Sequence, residues 1–420
     1  MRARVYPVLE QIEGTVKAPP SKSYTHRALF ISLLTQGVSR IENMLVAGVT
    51  KATAVAVKKF GGRVTEEGLV HGALPNLKSP KYVYCRGSGT TLRIATAVAS
   101  LVEGPVLLYG NSTLNRRPMM PLVKALETLG ARVLSNNGFP PIAVKGKLRP
   151  REHREVAIDA SKSSQFVTAL LIVAPILSLT VRTMGGVRSL PYIDITLRVM
   201  EAFGVRCARD GYKTFTPERE EYVPSKVKIP GDFSSASYLI AIGALAGRVR
   251  IEELYLNDVQ GDKAIVDIVE RMGAKVRRGE TYVEIESSGM LEGVHVDCRN
   301  TPDLAPIVAV LGAYARGTTQ IEGVEHLAFK ESNRLESITK NLRKLGIDAT
   351  VKEGRIWVRG GRVRGGRINS FRDHRIAMAF AVAAVRAERP IEISGFECYK
   401  ESYPQFLQHL KRLGIRVEAV

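Results

Sequence analysis

The sequence repeats one short phrase six times, and this repeat constrains the fold more than any other feature. In each copy an apolar residue is followed by glycine and then by a short run that starts a new segment, as in Leu129-Gly130-Ala131-Arg132-Val133. The repeated glycines are Gly61, Gly130, Gly204, Gly273, Gly346 and Gly414, spaced 69, 74, 69, 73 and 68 residues apart. A glycine after an apolar helix end is typical of a helix C-cap before a strand. The chain therefore divides into six repeats of about 70 residues.

A second series of apolar, alanine-rich segments runs in step with the glycines. Helices are predicted to begin near His26, Thr91, Ser163, Ser234, Asp303 and His374. The helices near 26–36 and 91–102 are apolar on nearly every side, so we expect them to be buried. Helices such as 119–129 are amphipathic and should lie outside. Each repeat then holds two helices with strands between them.

Polar residues stand in front of every apolar helix. The six entries are Ser21-Lys22-Ser23, Gly87-Ser88-Gly89-Thr90, Ser161-Lys162-Ser163-Ser164-Gln165, Gly231-Asp232-Phe233-Ser234-Ser235, Thr301-Pro302-Asp303 and Arg372-Asp373-His374-Arg375. Any one entry is explained by ordinary helix capping. Six such entries at matching places in the repeats indicate more than capping, because parallel buried helices would bring their N-termini to one end of each domain. Such an end carries free N–H groups and positive partial charge, and should bind phosphate or carboxylate.

Composition limits the class of protein. The formal net charge of +20 favours anionic partners, but Lys and Arg are dispersed and aromatic residues make up only 6%, so small anions fit at least as well as nucleic acid. Four cysteines in 420 residues exclude a disulfide scaffold and favour a reducing compartment. The uncharged stretch 163–181 contains Pro175 and fits a buried helix better than a membrane span. The N-terminus lacks the apolar run of a signal peptide.

The most specific motif is PSKSYTHR at residues 20–27. Ser23 and Arg27 lie four residues apart and share a helix face, with Lys22 at its start. With this motif the chain resembles the 5-enolpyruvylshikimate-3-phosphate synthase family of enolpyruvyl transferases. The resemblance covers the full chain and is also carried by Ser88-Gly89-Thr90-Thr91-Leu92-Arg93, Arg117-Pro118-Met119, Ser163-Ser164-Gln165-Phe166, Ser189-Leu190-Pro191-Tyr192-Ile193-Asp194, Gly231-Asp232-Phe233-Ser234-Ser235-Ala236, Pro302-Asp303, Lys330-Glu331-Ser332-Asn333-Arg334, Asp373-His374-Arg375 and Lys400.

The resemblance implies an α/β fold of two similar domains. Each would hold three βαβαββ repeats with buried parallel helices, an inside-out α/β barrel, with the active site in the interdomain cleft. The expected domains are 1–13 with 227–420, and 14–226. The implied reaction transfers the enolpyruvyl (1-carboxyvinyl) group of phosphoenolpyruvate to the 5-hydroxyl of shikimate 3-phosphate and releases phosphate. It serves the shikimate pathway toward chorismate and aromatic amino acids.

The implied partners are these two small substrates, with no nucleic acid and no membrane. A cytoplasmic monomer is expected. No cofactor is expected, and no metal, since the seven histidines form no cluster with ligand spacing.

The resemblance also implies roles for individual residues. Asp303 is the expected base, and Glu331 or Lys22 the expected acid at C3 of phosphoenolpyruvate; the sequence does not decide between them. The residues expected to bind shikimate 3-phosphate are Lys22, Ser23, Arg27, Ser163, Ser164, Gln165, Ser189, Tyr192, Asp303, His326 and Lys330. Those expected to bind phosphoenolpyruvate are Lys22, Gly87, Gly89, Arg117, Gln165, Arg334, Arg375 and Lys400.

The chain departs from the usual pattern of the family at four places. Arg86-Gly87 stand where Gly-Asn is common, so Gly87 can offer only its backbone. Gly48-Val49 replace a usual Asp-Asp pair. His326 occupies a position often held by Asn or Gln, and Ala328 replaces a common Arg.

Three other functions remain open at this point. A sister enzyme that acts on UDP-N-acetylglucosamine typically has Lys-Asn where Lys22-Ser23 stand, and a cysteine in the loop corresponding to 110–117, where this chain has none. An RNA 3′-phosphate cyclase, a more distant alternative with similar repeats, would need a histidine that accepts a nucleotidyl group and residues that contact the nucleotide. A non-catalytic protein that binds anions or nucleic acid is suggested only by the net charge of +20.

Overall fold

The computed structural model describes residues 1–149 and 154–420. Contacts between residues divide the chain into two compact units. The central unit is Pro20–Ile229, and the terminal unit combines Met1–Pro19 with Pro230–Val420.

The α-helices of the described residues are of two alternating kinds. They are α1 (Lys22–Leu33), α2 (Gly48–Lys59), α3 (Gly89–Ala99), α4 (Met120–Thr128), α5 (Gln165–Leu177), α6 (Pro191–Ala202), α7 (Phe233–Ala246), α8 (Ala264–Arg271), α9 (Ala305–Ala313), α10 (Arg334–Lys344), α11 (His374–Ala383) and α12 (Phe406–Arg412). The odd-numbered helices are buried along nearly their whole length. The even-numbered helices bury one face, as their amphipathic sequences predict.

The six repeated glycines end the even-numbered helices. Each lies two residues beyond the last residue of its helix and has a φ between 75° and 105°. Glycine adopts this left-handed backbone without the steric cost that a Cβ brings. The C-caps predicted from the repeat are thus confirmed, and each one turns the chain from a helix toward a strand.

The strands are short and distributed along the whole chain. They are β1 (Arg2–Val5), β2 (Ile12–Lys17), β3 (Val38–Glu42), β4 (Arg63–Val64), β5 (Leu69–His71), β6 (Tyr82–Tyr84), β7 (Pro105–Tyr109), β8 (Arg132–Asn136), β9 (Phe139–Lys145), β10 (Arg154–Asp159), β11 (Leu179–Met184), β12 (Cys207–Asp210), β13 (Thr214–Pro217), β14 (Lys226–Lys228), β15 (Gly247–Glu252), β16 (Lys275–Arg278), β17 (Tyr282–Glu286), β18 (Leu291–Glu292), β19 (His295–Asp297), β20 (Ala315–Arg316), β21 (Thr318–Glu322), β22 (Asp348–Lys352), β23 (Arg355–Arg359), β24 (Gly366–Asn369), β25 (Ile391–Ser394) and β26 (Val417–Ala419).

Each unit has three four-stranded sheets of one pattern, a parallel pair followed by two antiparallel pairings. In the central unit the strand orders are β14-β3-β5-β4, β6-β7-β9-β8 and β10-β11-β13-β12. In the terminal unit they are β16-β17-β15-β2, β19-β21-β23-β22 and β24-β25-β1-β26, beside the small sheet β18-β20. Strands such as β7 alternate buried and exposed residues, because one sheet face packs on the helices. Helices therefore lie inside and sheets outside, which confirms the predicted fold class.

The unit boundaries differ from the expected ones by a few residues, and strand pairing explains the difference. β2 pairs in parallel with β15, so the chain stays in the terminal unit until Pro19 rather than leaving after Glu13. β14 pairs in parallel with β3, so the chain stays in the central unit until Ile229 rather than leaving after Lys226. Each crossing thus follows a complete strand.

Candidate active site

In the central unit, side chains from the N-terminal halves of the three buried helices contact one another. Arg27 of α1 donates to Thr168 Oγ1 of α5 over 3.2 Å. Arg93 of α3 donates to Gln165 Oε1 of α5 over 2.7 Å. The N-termini of α1, α3 and α5 therefore gather in one place, as the repeat predicts.

Arg27 is a buried cation held by neutral oxygens. It is 1% exposed and donates to the carbonyl oxygens of Ser23 and Tyr192, both over 2.8 Å, and to the hydroxyls of Thr196 (2.8 Å) and Thr168 (3.2 Å). Within the described residues, no carboxylate pairs with it. Burial lowers the pKa of Arg27 to about 10, so the group stays charged at neutral pH without a counter-ion.

Gly89, the first residue of α3, permits a close approach of charged groups. A Cβ at this position would lie 2.5 Å from Arg93 Nη1, 3.0 Å from Arg117 Nη1 and 3.5 Å from Gln165 Oε1. A side chain here would push the Arg93 guanidinium away and crowd that of Arg117, so glycine lets both groups stay close to the backbone of α3. Arg93 and Arg117, 5% and 7% exposed, thus place their guanidinium groups beside the N-terminus of α3.

The serines predicted to hold a phosphate lie at two backbone turns. Ser163 Oγ accepts a hydrogen bond from Gln165 N over 3.3 Å, and Ser164 is the N-cap residue of α5. Ser189 is buried, and its carbonyl oxygen accepts from Tyr192 N over 3.1 Å. Its φ of 59° is unusual for a residue with a side chain, and such backbone strain is concentrated at functional sites.

The remaining predicted residues of the central unit are less buried. Lys22 and Ser23 are half-buried at the start of α1. Gly87 is half-buried, and a Cβ there would lie 3.2 Å from Asn111 Nδ2.

In the terminal unit, Arg334 joins three carboxylates. It is 1% exposed and pairs with Asp303 at 2.8 Å, Glu331 at 2.7 Å and Asp373 at 2.8 Å. Burial lowers the pKa of Arg334, but Asp373, Glu331 and Asp303 together raise it well above its usual value. The charge of this arginine is therefore compensated, in contrast to that of Arg27.

Arg375 ties the N-termini of the buried helices of the terminal unit together. It is fully buried and donates to Asp303 Oδ2 over 2.9 Å and to the carbonyl oxygen of Ser234 in α7 over 2.9 Å. Its own backbone N–H donates to Asp373 Oδ1, the N-cap of α11. Asp303 precedes α9, and its two oxygens are paired with two different arginines.

Asp262 is a buried carboxyl group of the same cluster that sequence reasoning did not find. It is 3% exposed and accepts a hydrogen bond at Oδ2 from Ser234 Oγ, while its Oδ1 has no partner among the described residues. Burial and the nearby charge of Asp303 raise the pKa of Asp262 to about 7.

Three predicted residues lie at the edge of this cluster or outside it. His326 is 7% exposed in a short 3-10 helix, Glu325–Phe329, and half-buried Lys330 follows it directly. Lys400 is exposed and makes no hydrogen bond or ion pair with any described residue. The structure therefore joins Asp303, Glu331, Arg334 and Arg375 but not Lys400.

Three residues of the site, Thr168, Thr196 and Asp262, are absent from the sequence-based prediction, and they differ in how far the sequence could have revealed them. Thr168 and Thr196 follow Gln165 and Tyr192 by one helical turn, so their spacing could have placed them beside the predicted residues. Asp262 lies in a Gln-Gly-Asp segment that resembles any polar loop, and only its packing shows its place.

Several observations bear on the other functions left open by the sequence. Burial raises the pKa of each of the four thiols to about 12, which keeps Cys85, Cys207, Cys298 and Cys398 protonated and poor nucleophiles. Within 1–149 and 154–420, no three His, Cys, Asp or Glu side chains are grouped as a metal site requires. In the same residues, no helix is both long and apolar enough to span a membrane.

Comparison with known proteins decides the family. Residues 8–410 match the family model described as EPSP synthase (3-phosphoshikimate 1-carboxyvinyltransferase). The chain belongs to the EPSP synthase family. It is accordingly a transferase, as the resemblance of its motifs implies.

Curated relatives and solved structures agree with this assignment. The chain is 47% identical over 414 residues to the 3-phosphoshikimate 1-carboxyvinyltransferase of Aeropyrum pernix, covering 97% of this chain and 95% of the relative. It is 44% identical over 410 residues to the protein of the same name from Thermococcus kodakarensis, covering 96% and 98%. The EPSP synthase structure from Acinetobacter baumannii matches all of both chains with a TM-score of 0.81 and 26% identity. The enolpyruvyl transferase NikO from Streptomyces tendae, 16% identical with a TM-score of 0.80 over 99% of this chain and 98% of its own, shares the fold.

Proposed function

We propose that this chain transfers the enolpyruvyl group of phosphoenolpyruvate to the 5-hydroxyl of shikimate 3-phosphate and releases phosphate. The observation that carries this proposal is the placement of Asp303 between Arg334 and Arg375, at 2.8 and 2.9 Å. A hydroxyl must lose its proton to attack C2 of phosphoenolpyruvate, and the Asp303 carboxylate can accept that proton. The two arginines beside it can bind the anionic groups of phosphoenolpyruvate.

The central unit has the features needed to bind shikimate 3-phosphate. Arg27 and Ser23 are assigned to the carboxylate, because Arg27 is a buried cation whose charge no described carboxylate offsets. Ser163, Ser164 and Ser189 are assigned to the 3-phosphate, which the N-terminus of α5 would also attract. Gln165 and Tyr192 are assigned to the ring, and Lys22 to the carboxylate and to phosphoenolpyruvate.

The groups assigned to phosphoenolpyruvate in the central unit surround the start of α3. Gly89 allows Arg117 to approach this N-terminus, where phosphate or carboxylate oxygens can accept from free N–H groups. Gly87 offers its backbone and Gln165 its side chain. A guanidinium group can donate two parallel hydrogen bonds to either the carboxylate or the phosphate of this substrate.

In the terminal unit, Arg334 and Arg375 are assigned to phosphoenolpyruvate, with Lys400 as a further cation. Both arginines are paired with Asp303, so an arriving anion competes with that carboxylate for the same guanidinium groups. Loss of even part of this pairing makes Asp303 a stronger base. Binding of the anion would thus prepare the base for the step that follows.

The proposed reaction has two stages. In the addition, Asp303 takes the proton of the 5-hydroxyl, the oxygen bonds to C2 of phosphoenolpyruvate, and C3 gains a proton from Glu331 or Lys22. In the elimination, C3 loses a proton, the bond from C2 to the phosphate oxygen breaks, and phosphate leaves. Lys330 and His326 are assigned to hydroxyl groups of the ring. The monomeric state and the cytoplasmic location implied by the resemblance stay predictions.

A phosphate-release assay tests the proposed function. Purified chain is supplied with phosphoenolpyruvate alone, with shikimate 3-phosphate, or with UDP-N-acetylglucosamine, and the product is identified by NMR. We expect release only with shikimate 3-phosphate and a vinyl ether at its 5-oxygen. Release without an acceptor, or with UDP-N-acetylglucosamine in preference, would contradict the proposal.

A further inference from the structure

Four buried polar side chains connect α1 to the N-terminus of α3 in the central unit, and none of them has a role in the function proposed above. His26 Nδ1 lies 2.6 Å from Thr53 Oγ1, which lies 2.6 Å from Thr91 Oγ1. The Thr91 hydroxyl donates to Ser88 Oγ over 2.7 Å. Exposure is 1% for His26, 0% for both threonines and 3% for Ser88. We call these four residues the hydroxyl relay.

The hydrogen bonds of the relay fix its direction. A hydroxyl has one hydrogen to donate, and Thr91 gives its hydrogen to Ser88. Thr91 must therefore accept from Thr53, and Thr53 in turn must accept from His26. This order requires the imidazole proton of His26 to be on Nδ1.

The environment of His26 keeps its ring neutral. Burial lowers the pKa of His26 well below its usual range, and the cations Lys22 and Arg27 lower it further. A neutral ring carries one proton, so its position sets the direction of every hydrogen bond in the relay. A proton on Nε2 would reverse all of them.

The relay ends at a place where an anion is expected. Ser88 is the N-cap of α3, and its Oγ accepts from Thr91 N over 3.1 Å as well as from the Thr91 hydroxyl. Ser88 Oγ is thus the acceptor in both of these hydrogen bonds. Its own hydroxyl hydrogen has no acceptor among the described residues. The next residue is Gly89, beside the guanidinium groups of Arg93 and Arg117.

We propose that His26 is a positioning residue for phosphoenolpyruvate: with its proton on Nδ1, it orients the relay so that the Ser88 hydroxyl donates to an anionic oxygen of that substrate. This inference rests on the proposed function. If the relay ran the other way, Ser88 would donate to Thr91 and present only lone pairs, which would repel the anion. The position of the proton on the His26 ring thus determines whether the Ser88 hydroxyl can donate at the start of α3.

Matched threonine variants test the relay. Thr53→Val removes the middle hydroxyl while keeping the shape of the side chain. Thr96→Val is the control, because Thr96 is also fully buried, on α3, and its hydroxyl bonds only to the carbonyl oxygen of Leu92. We expect Thr53→Val to raise the KM for phosphoenolpyruvate about threefold to tenfold, with little change in affinity for shikimate 3-phosphate. Equal effects of the two variants would overturn the proposal.

A double-mutant cycle tests whether Thr53 acts through Ser88. Ser88→Ala should raise the KM for phosphoenolpyruvate roughly tenfold or more, because it removes a donor to a charged acceptor. Adding Thr53→Val to Ser88→Ala should then raise it no further. Thr53→Ser restores the hydroxyl and should return the KM toward that of the unaltered chain. Independent effects in the double variant would overturn the proposal.

Nitrogen NMR reports the tautomer itself. We would label the histidines with ¹⁵N, assign His26 by its loss in His26→Asn, and record spectra with both substrates at equilibrium. The proposal predicts protonated Nδ1 and unprotonated Nε2; the opposite tautomer would overturn it. A chain without phosphate release dependent on shikimate 3-phosphate would refute the proposed function and the relay together. An active chain with an unchanged KM in Thr53→Val would refute the relay alone.

Discussion

The two units use the same repeat but treat charge in opposite ways. In the central unit the N-cap residues of the buried helices are Ser21, Ser88 and Ser164, which are neutral. In the terminal unit Asp232 and Asp373 cap α7 and α11, and Asp303 precedes α9. Arg27 donates to neutral oxygens alone within the described residues, whereas Arg334 pairs with three carboxylates.

This difference suggests a division of work. A buried cation without a counter-ion can bind an anion without first breaking an ion pair, so the central unit is suited to binding an anion. A cation paired with carboxylates must exchange partners, and each exchange alters the basicity of the carboxylate it leaves. In the terminal unit, the binding of an anion would therefore alter the basicity of Asp303.

The largest effect is expected at the proposed base. Asp303→Asn keeps the shape of the side chain and one of its two contacts with arginine, but it removes the basicity of the group. We expect turnover to fall by about 10²–10⁴-fold. The control is Asp348→Asn, an exposed carboxylate of the same unit, which should keep full turnover. Near-normal turnover in Asp303→Asn would move the base to another residue.

The next effect is on stability, and it separates the two arginines. Arg334→Met leaves Asp303 and Asp373 without their shared partner, and should lower the free energy of unfolding by about 3–5 kcal/mol. Arg27→Met leaves no carboxylate without a partner among the described residues, so it should lower the free energy of unfolding by less. Lys340→Met, on an exposed position of α10, should stay within about 0.5 kcal/mol of the unaltered chain. Denaturant titration gives all three values, and equal losses at Arg27 and Arg334 would contradict the contrast.

Much of the fold could be predicted from the sequence, because its signals are local and repeated. The glycines that end even-numbered helices and the apolar odd-numbered helices both follow from patterns within a few residues. Both unit boundaries lie a few residues later than the sequence predicts, because β2 and β14 pair with strands far along the chain. Pairing of that kind leaves no local trace.

The candidate site was predictable in its residues but not in its pairing. The motifs contain Asp303, Arg334 and Arg375, yet nothing in their spacing shows that both arginines pair with one aspartate. Asp262 was missed for a similar reason, because a raised pKa arises from burial and from Asp303 nearby, not from sequence neighbours.

Asp262 should make the stability of the terminal unit depend on pH. Its pKa is raised in the folded chain to about 7, so its contribution is fully present below the unfolded value, near pH 4, and is lost as pH rises to about 7. Asp262→Asn imitates the neutral form and should be more stable than the unaltered chain at pH 8, by a few kcal/mol at most. The two should converge near pH 4. Melting temperatures across pH 4–8 measure this, and parallel curves would contradict it.

The smallest effect is expected at the thiols. All four cysteines have a raised pKa, about 12, and none lies among the paired side chains of either unit. Replacing Cys207 and Cys398, the two that are not fully buried, with Ser should leave turnover within about twofold, in line with the small effect of most such changes. Loss of turnover in folded protein would favour the sister enzyme.

Calorimetric titration with shikimate 3-phosphate, without phosphoenolpyruvate, tests the central contrast most directly. The pair to compare is Arg27→Met and Asp303→Asn, each first shown to be folded at the temperature used. If Arg27 binds the carboxylate of shikimate 3-phosphate and Asp303 acts in proton transfer, Arg27→Met should lose about 10–100-fold in affinity, the usual loss for a hydrogen bond to a charged group. Asp303→Asn should bind within about threefold of the unaltered chain. The reverse order, with affinity lost at Asp303 and kept at Arg27, would contradict the account.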